Sequence, residues 1–231
     1  MNTVSHGGGA MIPLRDDNPT RTTPVVNYAL IASCVLVFFW QVSLGPRMEA
    51  AVYGYGLIPD VLLHGARLPP EIATVPAWLT VFTSMFMHGS WMHLIGNLLY
   101  LWIFADNVED RLGHGRFIVF YFLCGIAAAL AQALPDPRSQ IPMIGASGAI
   151  SGVLGAYLLL YPRAHVLVLL PLGPFSQLMR LPALIVLGLW FALQLLSEMI
   201  APAGAGVAFR AHIGGFVAGL ALLPLLRKRA R

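Results

Sequence analysis

From Ile72 to Ala105 the chain carries no Asp, Glu, Lys or Arg. A water-soluble domain seldom leaves so long a stretch uncharged, and about 20 apolar residues suffice to cross a bilayer. The first half of the stretch holds Pro76 and the polar cluster Thr80, Thr83, Ser84 and His88. It therefore reads as an interfacial loop, leaving a spanning helix over Ser90–Ala105. Five other apolar runs meet the same criterion: Val25–Leu44, Phe117–Leu134, Ala146–Tyr161, Pro182–Ile200 and Phe209–Leu226. Pro135 and Pro137 stop the third span, and Pro162 follows the fourth.

Composition agrees. The 231 residues are 58% hydrophobic and 10% charged, against about 25% charged in soluble domains. A soluble globular enzyme and a disordered chain are both excluded. The 23 glycines show no triplet period, and two cysteines, Cys34 and Cys124, cannot form a disulfide scaffold. Both lie in apolar stretches, so a bond between them is not expected. The sequence predicts an all-α polytopic membrane protein of six transmembrane helices.

Domain organisation follows. Residues 1–24 read as a flexible cytoplasmic tail, 25–226 as a six-helix membrane domain, and 227–231 as a basic cytoplasmic tail. Gly45–Pro70 is a long loop, and Arg163–Arg180, with Pro171, Gly173 and Pro174, reads as a connecting or membrane-dipping segment. The net charge of +4 does not call for nucleic acid, because four basic residues (Arg227, Lys228, Arg229, Arg231) crowd the C-terminal end. Six spans put both termini on one side. With that side cytoplasmic, Arg15, Arg21, Arg111, Arg116, Arg163, Arg180 and the tail lie inside, whereas Arg47, Arg67, Arg138 and Arg210 lie outside. That bias obeys the positive-inside rule.

Polar groups in hydrocarbon are costly and become functional candidates. Taken singly, each has an ordinary explanation. A serine such as Ser147 bonds back to a carbonyl one turn earlier, and an asparagine such as Asn97 often joins helices. Their joint placement is more telling. His93 and Asn97 are four apart and share a helix face. Ser147 begins the fourth span and His212 the sixth, so all four lie at a similar shallow depth near the outer face. Small residues run as stripes: Ser147, Ser151 and Gly155, beside Gly148, Gly152 and Ala156, and on the sixth span Ala211, Gly215 and Gly219. Such stripes let backbones approach closely. That packing would bring Ser147 within reach of His212, a nucleophile and its general base. Gly145-Ala146-Ser147-Gly148 places glycines around a helix-starting serine, where unpaired backbone N–H groups can meet an oxyanion. No acidic residue is placed to orient His212; Glu198 is the nearest in the chain. The expected arrangement is a dyad.

Three segments carry a family resemblance: Phe86-Met87-His88-Gly89-Ser90-Trp91-Met92-His93-Leu94-Ile95-Gly96-Asn97, Gly145-Ala146-Ser147-Gly148-Ala149-Ile150 and Ala211-His212-Ile213-Gly214-Gly215-Phe216-Val217-Ala218-Gly219. Their order and spacing resemble the rhomboid intramembrane serine proteases in the six-helix bacterial form. The resemblance implies Ser147 as nucleophile, His212 as general base, and His93, Asn97 and the Ser147 amide as oxyanion stabilisers. It implies site-shaping roles for Gly145, Gly148, Ala211, Gly215 and Gly219, and a first external loop over 45–80. Glu109 with Arg111, and His88, match positions with structural roles. Two departures stand out. Ser151 occupies a position where many relatives stack an aromatic ring on the catalytic histidine, so the ring would be held by a hydroxyl or by neighbouring helices. Leu79-Thr80 replace a Trp-Arg pair of the first loop.

The expected activity is hydrolysis of peptide bonds in or near transmembrane segments of other proteins, with the lipid bilayer as solvent and no metal, cofactor or nucleic acid. The short form without a targeting presequence points to a bacterial plasma membrane. The competing class is a rhomboid-like pseudoprotease that binds membrane proteins without cutting them; intact Ser147 and His212 argue against it. A transporter or channel would need paired charges or broken helices at the midplane, and the chain has neither. Oligomeric state is left open.

Overall fold

The computed structural model describes residues 11–200 and 208–227. Most of the basic tail and the first ten residues lie outside that range. The described chain is mostly helical. Helix α1 (Val25–Ser43) leads into α2 (Met48–Tyr55), α3 (Pro59–His64) and the single turn α4 (Thr80–Thr83). Next, α5 (Trp91–Tyr100) continues through a π-helical turn (Leu101–Ala105) into α6 (Asp106–Leu112). Then come α7 (His114–Ala133), α8 (Ser147–Leu160), α9 (Ala183–Ile200) and α10 (Phe209–Leu226). Four of these, α1, α7, α9 and α10, are long and apolar enough to cross a membrane. The segments expected as the second and fourth spans hold shorter helices. Large apolar side chains point outward from the long helices, with Leu36, Met199 and Leu225 all at least 70% exposed. Outward-facing apolar side chains of this kind suit hydrocarbon.

The expectation of an all-α chain needs correction. A three-stranded antiparallel sheet joins β1 (Ile12–Asp16), β2 (His165–Leu170) and β3 (Gln177–Pro182), in that order. The segment read as a membrane-dipping connection is thus a β-hairpin, turned at Gly173 with φ of 61°. Part of the tail read as flexible is its third strand. Ile12 pairs with Leu169 and Asp16 with Val166. Val166 and Val168 alternate into the core, the period-2 pattern of a strand with one covered face.

Helix α8 is the centre. Every residue from Gly148 to Tyr157 is buried, so this stretch has no outward face, and the helix packs chiefly on α10 and α7. The α8–α10 contact is backbone against backbone. A Cβ added to Gly215 would collide with the Gly148 carbonyl, and one added to Gly219 with the Gly152 carbonyl. A Cβ on Gly155 would strike the carbonyl of Phe216. Gly148 and Gly152 thus form the stripe that meets α10, joined one turn later by Gly155.

At the opposite end of the bundle, polar side chains close helix ends. Glu109 is fully buried; its carboxylate accepts the backbone N–H groups of Val26 (3.0 Å) and Asn27 (2.8 Å). These are unpaired donors of the first turn of α1, where negative charge also meets the helix dipole. His114 Nδ1 lies 2.5 Å from the same carboxylate. The acidic residue of the Glu109–Arg111 pair is therefore structural through α1 and His114. Asn27 donates to the Leu101 carbonyl within the π-helical turn (3.1 Å). Cys34 and Cys124 are buried free thiols.

Asp16 ties the sheet to the bundle. Its carboxylate accepts from the Tyr157 hydroxyl (2.5 Å) and from Asn107 Nδ2 (3.2 Å). Burial pushes its carboxyl up to about 6, against an ordinary value of 3.8, and nearby Asp106 adds to the effect. Because the folded chain holds this proton more tightly than the unfolded one, the contribution is fully present below 3.8 and lost as pH rises through about 6. Hydrogen exchange in β1, corrected for intrinsic pH dependence, should therefore show more protection at pH 5 than at pH 7.5. Asp16→Asn should flatten that difference. The helix contact has its own test. Gly219→Leu should lower thermal stability in detergent by more than the about 1–3 kcal/mol typical of core overpacking, because backbone must move.

Candidate active site

Helices α5, α8 and α10 all begin at one end of the bundle, and each brings a polar group there. Ser147 is the first residue of α8 and His212 lies in the first turn of α10. The Ser147 hydroxyl is 2.8 Å from His212 Nε2, placed to donate to it. The pairing follows from the glycine contact, since Gly148 meets Gly215 and their neighbours Ser147 and His212 lie beside that crossing. Helix α10 is further held by Gln132 of α7, whose Oε1 accepts the Ala211 N–H (3.2 Å).

The other ring nitrogen of His212 has a partner too. Nδ1 lies 2.7 Å from Oε1 of Gln194 on α9. The Trp190 ring, one turn earlier on α9, lies 6.0 Å from the imidazole, with planes 37° apart. Glu198, one turn later, pairs with Arg210. The ring is thus held by a neighbouring helix. The hydroxyl alternative does not apply, because Ser151 Oγ donates to the Ser147 carbonyl (2.7 Å).

His93 is positioned from its own helix start. Ser90 caps α5 by accepting the His93 N–H (3.2 Å). The Gly89 N–H points to His93 Nδ1 at 3.4 Å, which leaves Nε2 as the protonated nitrogen. That Nε2 lies 2.7 Å from where a Cβ on Gly145 would stand, and Ser147 Oγ lies 3.6 Å from the same point. Absence of a side chain at residue 145 therefore opens a space flanked by both groups. Gly145 also has φ of 125°, a conformation that L side chains rarely adopt. Its N–H donates to the Ser84 carbonyl (2.8 Å). Asn97 is buried on α5, and its Nδ2 has no hydrogen-bond partner among the described residues. Such an orphaned donor calls for an explanation. The Ser147 N–H, at the first position of α8, has no acceptor four residues earlier.

His88 has a separate place. Gln41 of α1 grips its backbone from both sides: His88 N–H donates to Gln41 Oε1 (3.0 Å), and Gln41 Nε2 donates to the His88 carbonyl (3.1 Å). Burial first, then the neighbouring His93, lowers the His88 ring to about 4. It is a neutral, structural histidine of the loop before α5.

Reasoning from the sequence brought Ser147, His212, His93 and Asn97 to one end of the bundle. It missed Gln194, Gln132 and Trp190. A signal existed for the first: Trp190, Gln194 and Glu198 are four apart on an otherwise apolar helix, so they share one face.

The fold and site define a helical membrane protein with a hydrogen-bonded serine–histidine pair among closely packed small-residue helices. The family model described as the rhomboid domain matches residues 76–229, more than half of the chain, and the chain belongs to the rhomboid family. It is 31% identical over 136 residues to the rhomboid protease GluP of Bacillus subtilis, covering 58% of this chain and 24% of that protein. It is 28% identical over 203 residues to the rhomboid protease GlpG of Salmonella choleraesuis, covering 87% of this chain and 63% of that protein. The putative rhomboid protease YdcA of Bacillus subtilis is 30% identical over 140 residues, 60% of this chain and 63% of its own length. The chain thus spans from about a quarter to under two thirds of these relatives' lengths.

The serine–histidine pair has a direct chemical test. A fluorophosphonate reagent should modify Ser147 before any other serine, as read by mass spectrometry. His212→Ala should abolish the modification. Gly145→Ala, which drives a methyl into the His93 ring, should slow it by about 10²-fold, the scale of a 1 Å misplacement.

Proposed function

We propose that this protein is an intramembrane serine endopeptidase that cleaves peptide bonds in or near transmembrane segments of other proteins. The observation that carries the reading is the 2.8 Å approach of Ser147 Oγ to His212 Nε2. Family membership and the relatives named rhomboid proteases support it.

In this reading α1, α5–α6, α7, α8, α9 and α10 are the six spans. Both termini are cytoplasmic, and the site lies near the outer face of a bacterial plasma membrane. His212 takes the Ser147 proton as Oγ attacks the substrate carbonyl, then gives it to the leaving amine. An acyl-enzyme remains, and water, activated by the same histidine, hydrolyses it. The Ser147 amide, His93 Nε2 and Asn97 Nδ2 surround the developing oxyanion. This role accounts for the unpartnered Asn97 donor and for the space that Gly145 leaves open. Because a helical peptide bond is shielded by its own backbone, substrates with helix-weakening residues such as glycine unwind into the site more readily.

The test is cleavage of a single-span model substrate in liposomes. Wild type should cut, and Ser147→Ala and His212→Ala should not. Persistent cutting by Ser147→Ala would remove the dyad. Intact protein that binds the substrate but never cuts it would favour the pseudoprotease reading. Asn97→Ala should retain partial activity, with a loss near the about 10²–10³-fold typical of one oxyanion donor; an unchanged rate would take Asn97 out of the oxyanion site.

A further inference from the structure

We infer that Gln194 is a positioning residue for His212, completing a serine–histidine–glutamine relay in which a neutral amide takes the orienting place. The inference rests on the proposed proteolytic reading and adds a residue to it. The geometry is specific. Gln194 Oε1 lies 2.7 Å from His212 Nδ1, and Ser147 Oγ lies 2.8 Å from His212 Nε2. An amide oxygen only accepts, so Nδ1 must carry the ring proton. Nε2 is then left with its lone pair facing the serine hydroxyl, which is the tautomer a general base needs. Were the proton on Nε2 instead, the imidazole could not take one from Ser147.

Contacts on either side of Gln194 tie α9 to the start of α10. On α9, Trp190 lies against the imidazole and stacks loosely on Phe216, and Phe191 stacks on Phe216 with ring centroids 4.3 Å apart. One turn beyond Gln194, Glu198 pairs with Arg210, two residues before His212. Trp190, Gln194 and Glu198 thus form one stripe along α9 that faces the start of α10. Among the described residues no carboxylate bonds His212, and the one acid nearby is engaged by Arg210. An amide fixes the tautomer without placing a net charge beside the ring in an apolar setting, where an unpaired carboxylate is costly. The arrangement also answers how the ring is oriented when residue 151 is a serine whose hydroxyl turns to its own backbone.

The experiment compares wild type, Gln194→Leu and Gln194→Glu in the full chain. Leucine keeps the volume and suits the apolar helix but accepts no hydrogen bond. Glutamate keeps an acceptor. Gln194→Leu should lower kcat on the model substrate, and the rate of fluorophosphonate modification of Ser147, by about tenfold or more. KM should stay within about twofold. Gln194→Glu should recover most of that loss. Nitrogen-15 NMR of the His212 ring should show Nδ1 protonated in wild type and a tautomer mixture in Gln194→Leu. Wild-type kcat together with an unchanged tautomer in Gln194→Leu would overturn the assignment, as would a glutamate variant no better than leucine. The ring signals read the tautomer whether or not a peptide is cut. A wild type that cleaves nothing yet shows the Nδ1 proton, lost on Gln194→Leu, would therefore overturn the proteolytic reading while supporting this one.

Discussion

The contact of α8 with α10, carbonyl oxygen against glycine Cα, is the constraint on which the rest depends. Membrane helices gain little from hiding apolar surface from one another, since lipid is equally apolar. Close approach, with the dispersion contacts it brings, has to hold them together. The carbonyls of Gly148 and Gly152 lie against Gly215 and Gly219, and Gly155 lies against the Phe216 carbonyl, with no space for one further carbon at Gly215, Gly219 or Gly155. The same crossing brings a serine at the start of one helix to the imidazole in the first turn of the other. Packing and chemistry are therefore set by a single distance between two backbones.

Uncharged groups suit this setting. Ser147, His212, His93 and Gln194 bond to one another or to backbone, and neither they nor Asn97 needs a fixed charge in the apolar interior. The charged residues near the site, Glu198 and Arg210, neutralise each other. The buried carboxylate of Glu109 lies far along the bundle, against the first turn of α1. This buried carboxylate is thus placed where helix N–H donors and His114 compensate its desolvation.

Much of this was readable before any coordinates. Ser147, His212 and the glycine stripes announce themselves because small residues at four-residue spacing have few uses in an apolar helix other than close packing. The sheet was hidden for the opposite reason. His165–Leu170 is so uniformly apolar that it carries no alternation to separate a strand from a membrane segment. Its partner Ile12–Asp16 lies in a polar stretch whose fate depends on residues far along the chain. The continuation of α5 into α6 was missed because Asp106, Glu109, Asp110 and Arg111 looked like the end of a span, whereas Asp106, Asn107 and Glu109 are used inside the fold. Gln194 escaped notice because one amide in an apolar helix reads as neutral. Its meaning appears only when the imidazole is in place beside it.

The pairing of β1 with the hairpin between α8 and α9 has a consequence for assembly. Strand β1 precedes every described helix, but its partner β2 follows the helix that begins at Ser147, and β3 comes later still. Closing this sheet spans most of the chain's length, and such non-local contacts form late. The first strand must therefore wait, unpaired, while the helices between are inserted. Its docking on Tyr157 and Asn107 marks the point at which the helix bearing Ser147 is already seated. In the order of biogenesis, β1 is fastened after the helices that follow it in sequence.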